Sequence, residues 1–366
     1  MRIALLIYGK LDTLSGGYLY DRALVAALRA AGDSVEIISV PRRNYLRSLG
    51  DNFSPALHRR LLELDADILL QDELNHPSLF LLNRRVRKQI NYPIASIVHL
   101  LTSCVNHPAW QTSVYAQLEQ RYLSTVDGLI CNSATTGREA ERLLRAAQSP
   151  KPTSIVAYPG SDRLNPQISE AELKKRARES PLRVVFLGNV IPRKGLHLVL
   201  NALETVPSDL WSLTVIGDTG ADPSYVRAIS RQIARAGLGA NARFTGVASD
   251  EDLSKHLAAS HVFVMPSSYE GYGIAYAEAM GFGLPAVGTT AGAAAEIITH
   301  GRDGFLIHAD DACMLADYLA ELICDRQRLL EMSCAALNRF QALPTWQASM
   351  HAIRDFLTEL VGATAL

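Results

Sequence analysis

Short apolar runs alternate with amphipathic helical stretches along nearly the whole chain, and the alternation is interrupted once and then restarts. The first series of runs is Arg2–Tyr8, Ser34–Val40, Asp67–Gln71, Ile94–His99, Gly128–Asn132 and Thr153–Tyr158. Between the first two lies a helical pattern over Tyr18–Ala31, which stops near Gly32. Uninterrupted apolar runs separated by helices are what a parallel sheet covered on both faces requires. Residues 163–181, RLNPQISEAELKKRARESP, break the pattern with charge and proline and read as a linker carrying a short helix. The second series is Leu182–Leu187, Ser212–Ile216, Ala242–Thr245, His261–Met265, Pro285–Gly288 and Gly304–Ile307, with helices over His197–Val206, Pro223–Ala236 and Asp250–Ala259. A last amphipathic helix covers Trp346–Val361. The expected organisation is therefore α/β, with two Rossmann-like doubly wound domains. They span 1–165 and 181–344, with a linker at 166–180 and a terminal segment at 345–366. Open α/β sheets take ligands at the carboxyl ends of their strands, so the expected site is a cleft between the two sheets.

Composition removes several function classes. A formal net charge of -1 excludes broad nucleic-acid binding. No apolar run approaches the roughly 18 residues of a membrane span, and the first residues read as a buried strand instead of a secretory leader. Five cysteines, an odd number without a CxxC pair, suit buried reduced thiols in a cytoplasmic compartment. Cys/His spacing suggests no metal site. Basic residues gather at Arg42, Arg43, Arg47, Arg59 and Arg60, and again at Arg84, Arg85, Arg87 and Lys88. These are either solvated helix faces or a contact for an anionic membrane or acceptor.

Three segments combine carboxylates, cations and glycines at strand ends. In SSYEGYGIAYAEAMGFGLPAVG, Glu270 follows an apolar run and Glu278 stands about a turn into the next helix. Gly271 and Gly273 between them allow close backbone approach, and the helix start offers unpaired N–H groups to phosphate. The segment Gly188-Asn189-Val190-Ile191-Pro192-Arg193-Lys194-Gly195 places adjacent cations after a strand, which suits a diphosphate. Ser15-Gly16-Gly17-Tyr18 joins the first strand to the first helix. His99 ends the strand before it reaches the next loop.

Together these segments resemble the retaining glycosyltransferases of family GT4, which have the GT-B fold. Pro266-Ser267, Glu270-Gly271-Tyr272-Gly273, Glu278-Ala279-Met280-Gly281 and Pro285-Ala286-Val287 are similar to that family's E-x7-E segment. The resemblance implies that Glu270 holds donor-sugar hydroxyls and Glu278 the ribose hydroxyls. The backbone of Gly271, Tyr272, Gly273, Ile274 and Ala275 would contact sugar and diphosphate. Lys194 and Gly195 match the family's phosphate loop. Asn189 stands where the family has arginine, and Arg193 is the candidate for the missing charge. Gly16 and Gly17 would face donor phosphates and acceptor, and Asp21 stands close to where many members carry histidine. His99 would sit near the donor sugar, and Val247 near the base. Asn132-Ser133, Pro159-Gly160-Ser161-Asp162 and Ala291-Gly292-Ala293-Ala294-Ala295-Glu296 resemble further family turns, and Trp346 opens the helix expected to cross back to the first domain.

The implied reaction transfers a hexose from a nucleoside-diphosphate sugar to an acceptor hydroxyl, with His99, Glu270, Lys194 and Arg193 as candidate catalytic groups. A UDP-sugar such as UDP-glucose is the favoured donor and GDP-mannose the alternative. No cofactor or metal is called for beyond the donor. The acceptor is an oligosaccharide or a lipid-linked hydroxyl in polysaccharide or glycoconjugate synthesis, reached by peripheral membrane contact on the cytoplasmic face. Competing readings are a different GT-B enzyme and a non-catalytic nucleotide-sugar binder on the same scaffold.

Overall fold

A computed structural model describes residues 1–146, 148–149 and 151–364. The chain forms two compact units. The first comprises Met1–Pro159 together with the terminal helix Trp346–Thr364. The second comprises Gly160–Thr345. Each contains one six-stranded parallel sheet.

In the first unit the strands are β1 (Arg2–Tyr8), β2 (Ser34–Val40), β3 (Ile68–Asp72), β4 (Ile94–Val98), β5 (Gly128–Cys131) and β6 (Thr153–Val156), in the order β2-β1-β3-β4-β5-β6. Side chains alternate between faces along a strand, so Ala4 and Leu6 enter one core while Ile3, Leu5 and Ile7 enter the other. The terminal helix covers the second of these faces. Its buried residues Met350, Ile353, Phe356, Leu357 and Leu360 recur every three or four positions, forming one apolar stripe. It sits so close to β5 that a Cβ at Gly128 would lie 2.4 Å from Leu360. Arg354 Nε and the amino terminus both donate to buried Asp33, at 2.7 Å each. The last two residues of the expected 345–366 segment lie outside the described residues.

In the second unit the strands are β7 (Leu182–Leu187), β8 (Trp211–Ile216), β9 (Ala242–Gly246), β10 (Val262–Val264), β11 (Ala286–Thr289) and β12 (Gly304–Ile307), in the order β12-β11-β10-β7-β8-β9. The chain winds outward from β7 to β9 and then returns to pair β10 with β7. The order thus reverses between β7 and β10, the switch point where such sheets leave a crevice at their carboxyl ends. Both ends of this unit meet, since Ser161 N–H donates to the Pro344 carbonyl at 3.2 Å. The 166–180 stretch carries the helix Glu170–Ala177, which opens on a capping box between Ser169 and Glu172. Its Arg176 is buried and donates to the carbonyls of Ala258, Phe282 and Gly283. This segment is therefore packed into the second unit.

Helices that the sequence pattern did not mark fill the chain after β2, at Tyr45–Ser48 and Pro55–Leu62, and after β12, at Ala312–Cys324 and Arg326–Gln341. All five cysteines are free, but only Cys131 is fully buried, whereas Cys313 and Cys324 are exposed. The expectation that the thiols are hidden therefore fails for those two, which lie on a helix of the second unit. Among the described residues, no helix is long and apolar enough to cross a membrane.

Candidate functional site

The switch point of the second sheet gathers most of the candidate donor groups. The loop after β7 tightens into the turn Pro192–Lys194 and ends at Gly195, whose φ is +76°. A Cβ there would come within 2.3 Å of the Pro266 carbonyl, so glycine lets this loop lie against the loop after β10. Backbone contact fixes the pair of loops: Ser268 N–H donates to the Arg193 carbonyl at 2.8 Å. Across that junction Lys194 Nζ donates to Glu270 Oε1 at 2.7 Å, and Arg193 Nη1 donates to the same oxygen at 2.9 Å. Arg193 Nη1 also donates to the Tyr269 carbonyl at 2.7 Å.

Burial alone would push the Glu270 carboxyl up, but Lys194 and Arg193 overrule it and hold the group at about 2. The same burial draws the Lys194 ammonium down from its ordinary range, opposed by Glu270. One carboxylate oxygen is thus shared by two cations in a largely dehydrated setting, where charge interactions are strong. From the other side, Gly292 (φ +78°) permits Ala293 N–H to reach the Glu270 carbonyl at 2.9 Å.

Gly273 then starts the helix Ile274–Gly281 with φ +101°, and no side chain caps it. Its Cβ would meet the Tyr276 ring at 2.4 Å. Tyr276 is fully buried and its hydroxyl donates to the Met265 carbonyl at 2.6 Å, which pins the helix start to the end of β10. Gly271 and Tyr272 are buried, whereas Gly273, Ile274 and Ala275 remain partly exposed at the uncapped end. Such a terminus presents N–H groups and a partial positive charge.

Glu278 lies one turn further along the same helix. It pairs with Arg163, whose Nε and Nη2 both reach Oε1, at 2.8 and 2.7 Å. Arg163 also binds Asp250. Burial raises the Glu278 carboxyl, with Arg163 pulling in the opposite direction. Sequence reasoning missed Arg163. It lies in the polar stretch read as linker, and its partner is more than a hundred positions away, so no local spacing could reveal the pair. Asn189 is half-buried, and its carbonyl accepts from Ile191 N–H within the turn at 2.9 Å. Val247, after β9, is 55% exposed. Neither is drawn into the Glu270 cluster.

In the first unit, Ser15 caps the helix Gly16–Ala30 by accepting from Tyr18 N–H at 3.4 Å. Gly16 is exposed and Gly17 half-buried at its start, and a Cβ at Gly17 would stand 3.2 Å from the His99 ring. His99, directly after β4, donates from Nε2 to Asp21 Oδ1 at 3.0 Å and packs edge-on to Tyr20 at 5.2 Å. Burial would lower the imidazole, but Asp21, Asp72 and Glu73 raise it to about 9. Among the described residues, two sets of three side chains each bring their potential ligand atoms within 4.8 Å: Asp21, Asp72 and His99, and Glu73, His76 and Glu119. Cys/His spacing could not have shown either group, because carboxylates supply most of each.

Comparison with known proteins accords with this geometry. Residues 168–339 match the family model described as Glycosyl transferases group 1. A GDP-mannose-dependent alpha-(1-6)-phosphatidylinositol monomannoside mannosyltransferase of Mycobacterium tuberculosis is 30% identical over 229 residues, covering 58% of this chain and 58% of that one. The match thus spans less than two thirds of that relative's length. A phosphatidyl-myo-inositol mannosyltransferase of Mycobacterium leprae is 26% identical over 93% of both chains. Among solved structures, a sucrose-phosphate synthase from Thermosynechococcus elongatus superposes with a TM-score of 0.83 at 21% identity, covering 99% of each chain. The fold is GT-B, and residues 168–339 are similar to the group 1 glycosyltransferases.

Proposed function

We propose that this chain transfers a hexose from a nucleoside-diphosphate sugar to an acceptor hydroxyl, with retention of the anomeric configuration. The observation that carries the reading is the shared Glu270 oxygen, held by Lys194 and Arg193 beside the uncapped helix start at Gly273. A donor diphosphate would take the two cations and the helix N–H groups, which offset the charge that develops as it leaves. Glu270, released in part from its cations, would accept from donor-sugar hydroxyls. Arg163 engages Oε1 of Glu278 and leaves Oε2 for the ribose hydroxyls. The sugar passes through an oxocarbenium-like state, and the departing phosphate takes the acceptor proton. In the first unit, imidazolium His99 stands beside Gly17.

For the donor, GDP-mannose now takes precedence over the UDP-hexose favoured by the sequence reading, because the relative matched at 30% identity is named as GDP-mannose-dependent. A lipid-linked acceptor is supported by exposed Leu46, Phe53 and Trp110, at 78%, 69% and 68%. Arg42, Arg43 and Arg47 are exposed in the same stretch as Leu46. Apolar side chains among arginines suit the surface of an anionic bilayer. Exposed Cys313 and Cys324 suit a reducing, cytoplasmic setting.

Turnover with a panel of nucleotide sugars tests the reading, together with calorimetric titration of GDP and UDP. Removing a charge-assisted contact costs about 1.5–3 kcal/mol. Lys194→Ala is therefore expected to bind the preferred nucleotide about 10- to 100-fold more weakly. Undiminished binding by that variant, or no turnover of any donor, would overturn the proposal.

A further inference from the structure

Glu73 follows β3 directly and is fully buried, yet neither carboxylate oxygen receives a hydrogen bond. Among the described residues no lysine or arginine pairs with it; His76 Nδ1 lies 2.9 Å from Oε1, out of hydrogen-bond alignment with it, and 3.1 Å from the Glu73 carbonyl, a contact that the nitrogen would give up to bind an ion. Facing it is Glu119, from the helix Ala109–Leu123, which is also fully buried. Glu119 is held in place by Ser103, whose N–H donates to its two oxygens at 3.1 and 3.3 Å and whose hydroxyl donates to Oε2. Two buried carboxylates and a buried imidazole therefore converge, with ligand atoms within 4.8 Å of one another. Buried carboxylates are costly without a compensating charge; His99 acts on Glu73 from a distance without a hydrogen bond, and burial still pushes this carboxyl up to about 8. The neighbouring Asp21, by contrast, accepts from His99.

We propose that Glu73, His76 and Glu119 bind a divalent cation of the first transition series, zinc or manganese, as a structural site of the first unit. One imidazole and two carboxylates form a ligand set that suits such ions. Ligand atoms about 2.1 Å from an octahedral ion such as manganese lie about 3 Å apart, and those of a tetrahedral zinc about 3.4 Å apart; the His76–Glu73 spacing of 2.9 Å is nearer the first. The other histidine nitrogen, Nε2, lies 2.8 Å from the Tyr45 hydroxyl. That contact fixes the ring as outer-shell partners of metal-bound histidines do, and Ser103 does the same for Glu119. Tyr45 in turn packs on Tyr115, with ring centroids 4.6 Å apart. The ion would staple the turn after β3 to the helix Ala109–Leu123 and, through Tyr45, to the segment after β2. It takes no part in the transfer chemistry assigned to Lys194, Arg193 and Glu270.

The full-length protein, stripped by chelator and then equilibrated with zinc or manganese, is passed over a desalting column and assayed by plasma mass spectrometry. About one ion per chain is expected to remain, with a melting temperature several degrees above that of the stripped protein. Glu73→Gln and Glu119→Gln, close in shape to the native residues, are expected to lose both the ion and the shift. If either variant fails to fold, saturable binding of Mn(II) to the wild type, followed by electron paramagnetic resonance, decides the matter. Failure of the stripped wild type to take up a stoichiometric ion overturns the site, and would leave Glu73 as a protonated buried acid. Equal retention of metal by the folded variants overturns it as well.

Discussion

At the scale of single residues, Glu270 shows how a buried carboxylate is made tolerable. Its Oε1 is engaged by Lys194 and Arg193 together, so its ionised form is favoured despite burial. The sign of the consequence is fixed by linkage. The folded-state value of about 2 lies below the ordinary 4.5, so the pair's stabilisation is complete above about 4.5 and is lost as pH falls toward 2. Chemical denaturation of wild type and Glu270→Gln is therefore expected to show a stability gap that is constant near neutrality and narrows below about pH 4.5. A gap that stays unchanged down to pH 3 would refute this ionic account. Glu270, Glu278 and Lys194 could be picked from sequence because each lies within a few residues of the glycines that shape its loop. That Lys194 and Glu270 touch could not be, nor could Arg163. The first depends on β7 and β10 being neighbours in the sheet, the second on a turn at Asp162–Leu164 packing against the helix Ile274–Gly281, and both pairs are distant in the chain. Val247, expected near the base, and Asn189, in the phosphate loop, were chosen by position in a motif alone.

The reason those loops meet belongs to the elements. Parallel strands that reverse their order between β7 and β10 leave two consecutive carboxyl-terminal loops with no helix crossing between them, and glycines at 195 and 292 let the backbones close the gap. The strands were readable to within a residue or two because the central ones are buried on both faces and carry unbroken apolar runs, and the edge strands β2, β6 and β9, although more exposed, still follow the alternation with helices. A shift of one position at β3, from the expected Asp67–Gln71 to Ile68–Asp72, sets Asp72 at the strand end and Glu73 just past it. The segments after β2 were not readable as helices. Tyr45–Ser48 and Pro55–Leu62 are short, and exposed Leu46 and Phe53 blur any amphipathic period. The terminal helix was readable from its stripe, and its contribution can be measured. Ile353 is fully buried against the first sheet, so Ile353→Ala is expected to cost about 2–5 kcal/mol. Gly128→Val, which drives atoms into Leu360 and Phe356, should cost about 1–3 kcal/mol by overpacking. Urea denaturation measures both, and a loss below about 0.5 kcal/mol in each would mean that the helix is not docked as described.

For the molecule as a whole, chain order and structural unit do not coincide. The chain leaves the first unit at Pro159, completes the second by Thr345 and returns for one helix. The charged groups assigned to the donor nucleotide, from Arg163 through Lys194 and Glu270 to Glu278, lie within Gly160–Thr345, whereas Gly16 and Gly17 belong to the first unit. The Ser161–Pro344 hydrogen bond closes that span on itself. Cutting after Thr345 therefore removes nothing from the donor groups, but strips Met350, Ile353, Phe356, Leu357 and Leu360 from the first core. Burying each such side chain is worth about 1.5–3 kcal/mol, and a domain's whole stability is only about 5–15 kcal/mol. The first unit of a 1–345 truncation is thus expected to unfold, or to bind a hydrophobic dye, while the second still binds nucleotide. A fragment spanning 160–345 is expected to fold and to bind GDP or UDP within about tenfold of the full chain, without transferring sugar. Calorimetry on the fragment, with circular dichroism to establish that it folds, checks this. A folded fragment that binds neither nucleotide would show that the donor groups of the second unit are not sufficient, and the assignment of Lys194, Arg193 and Glu278 to nucleotide binding would fall with it.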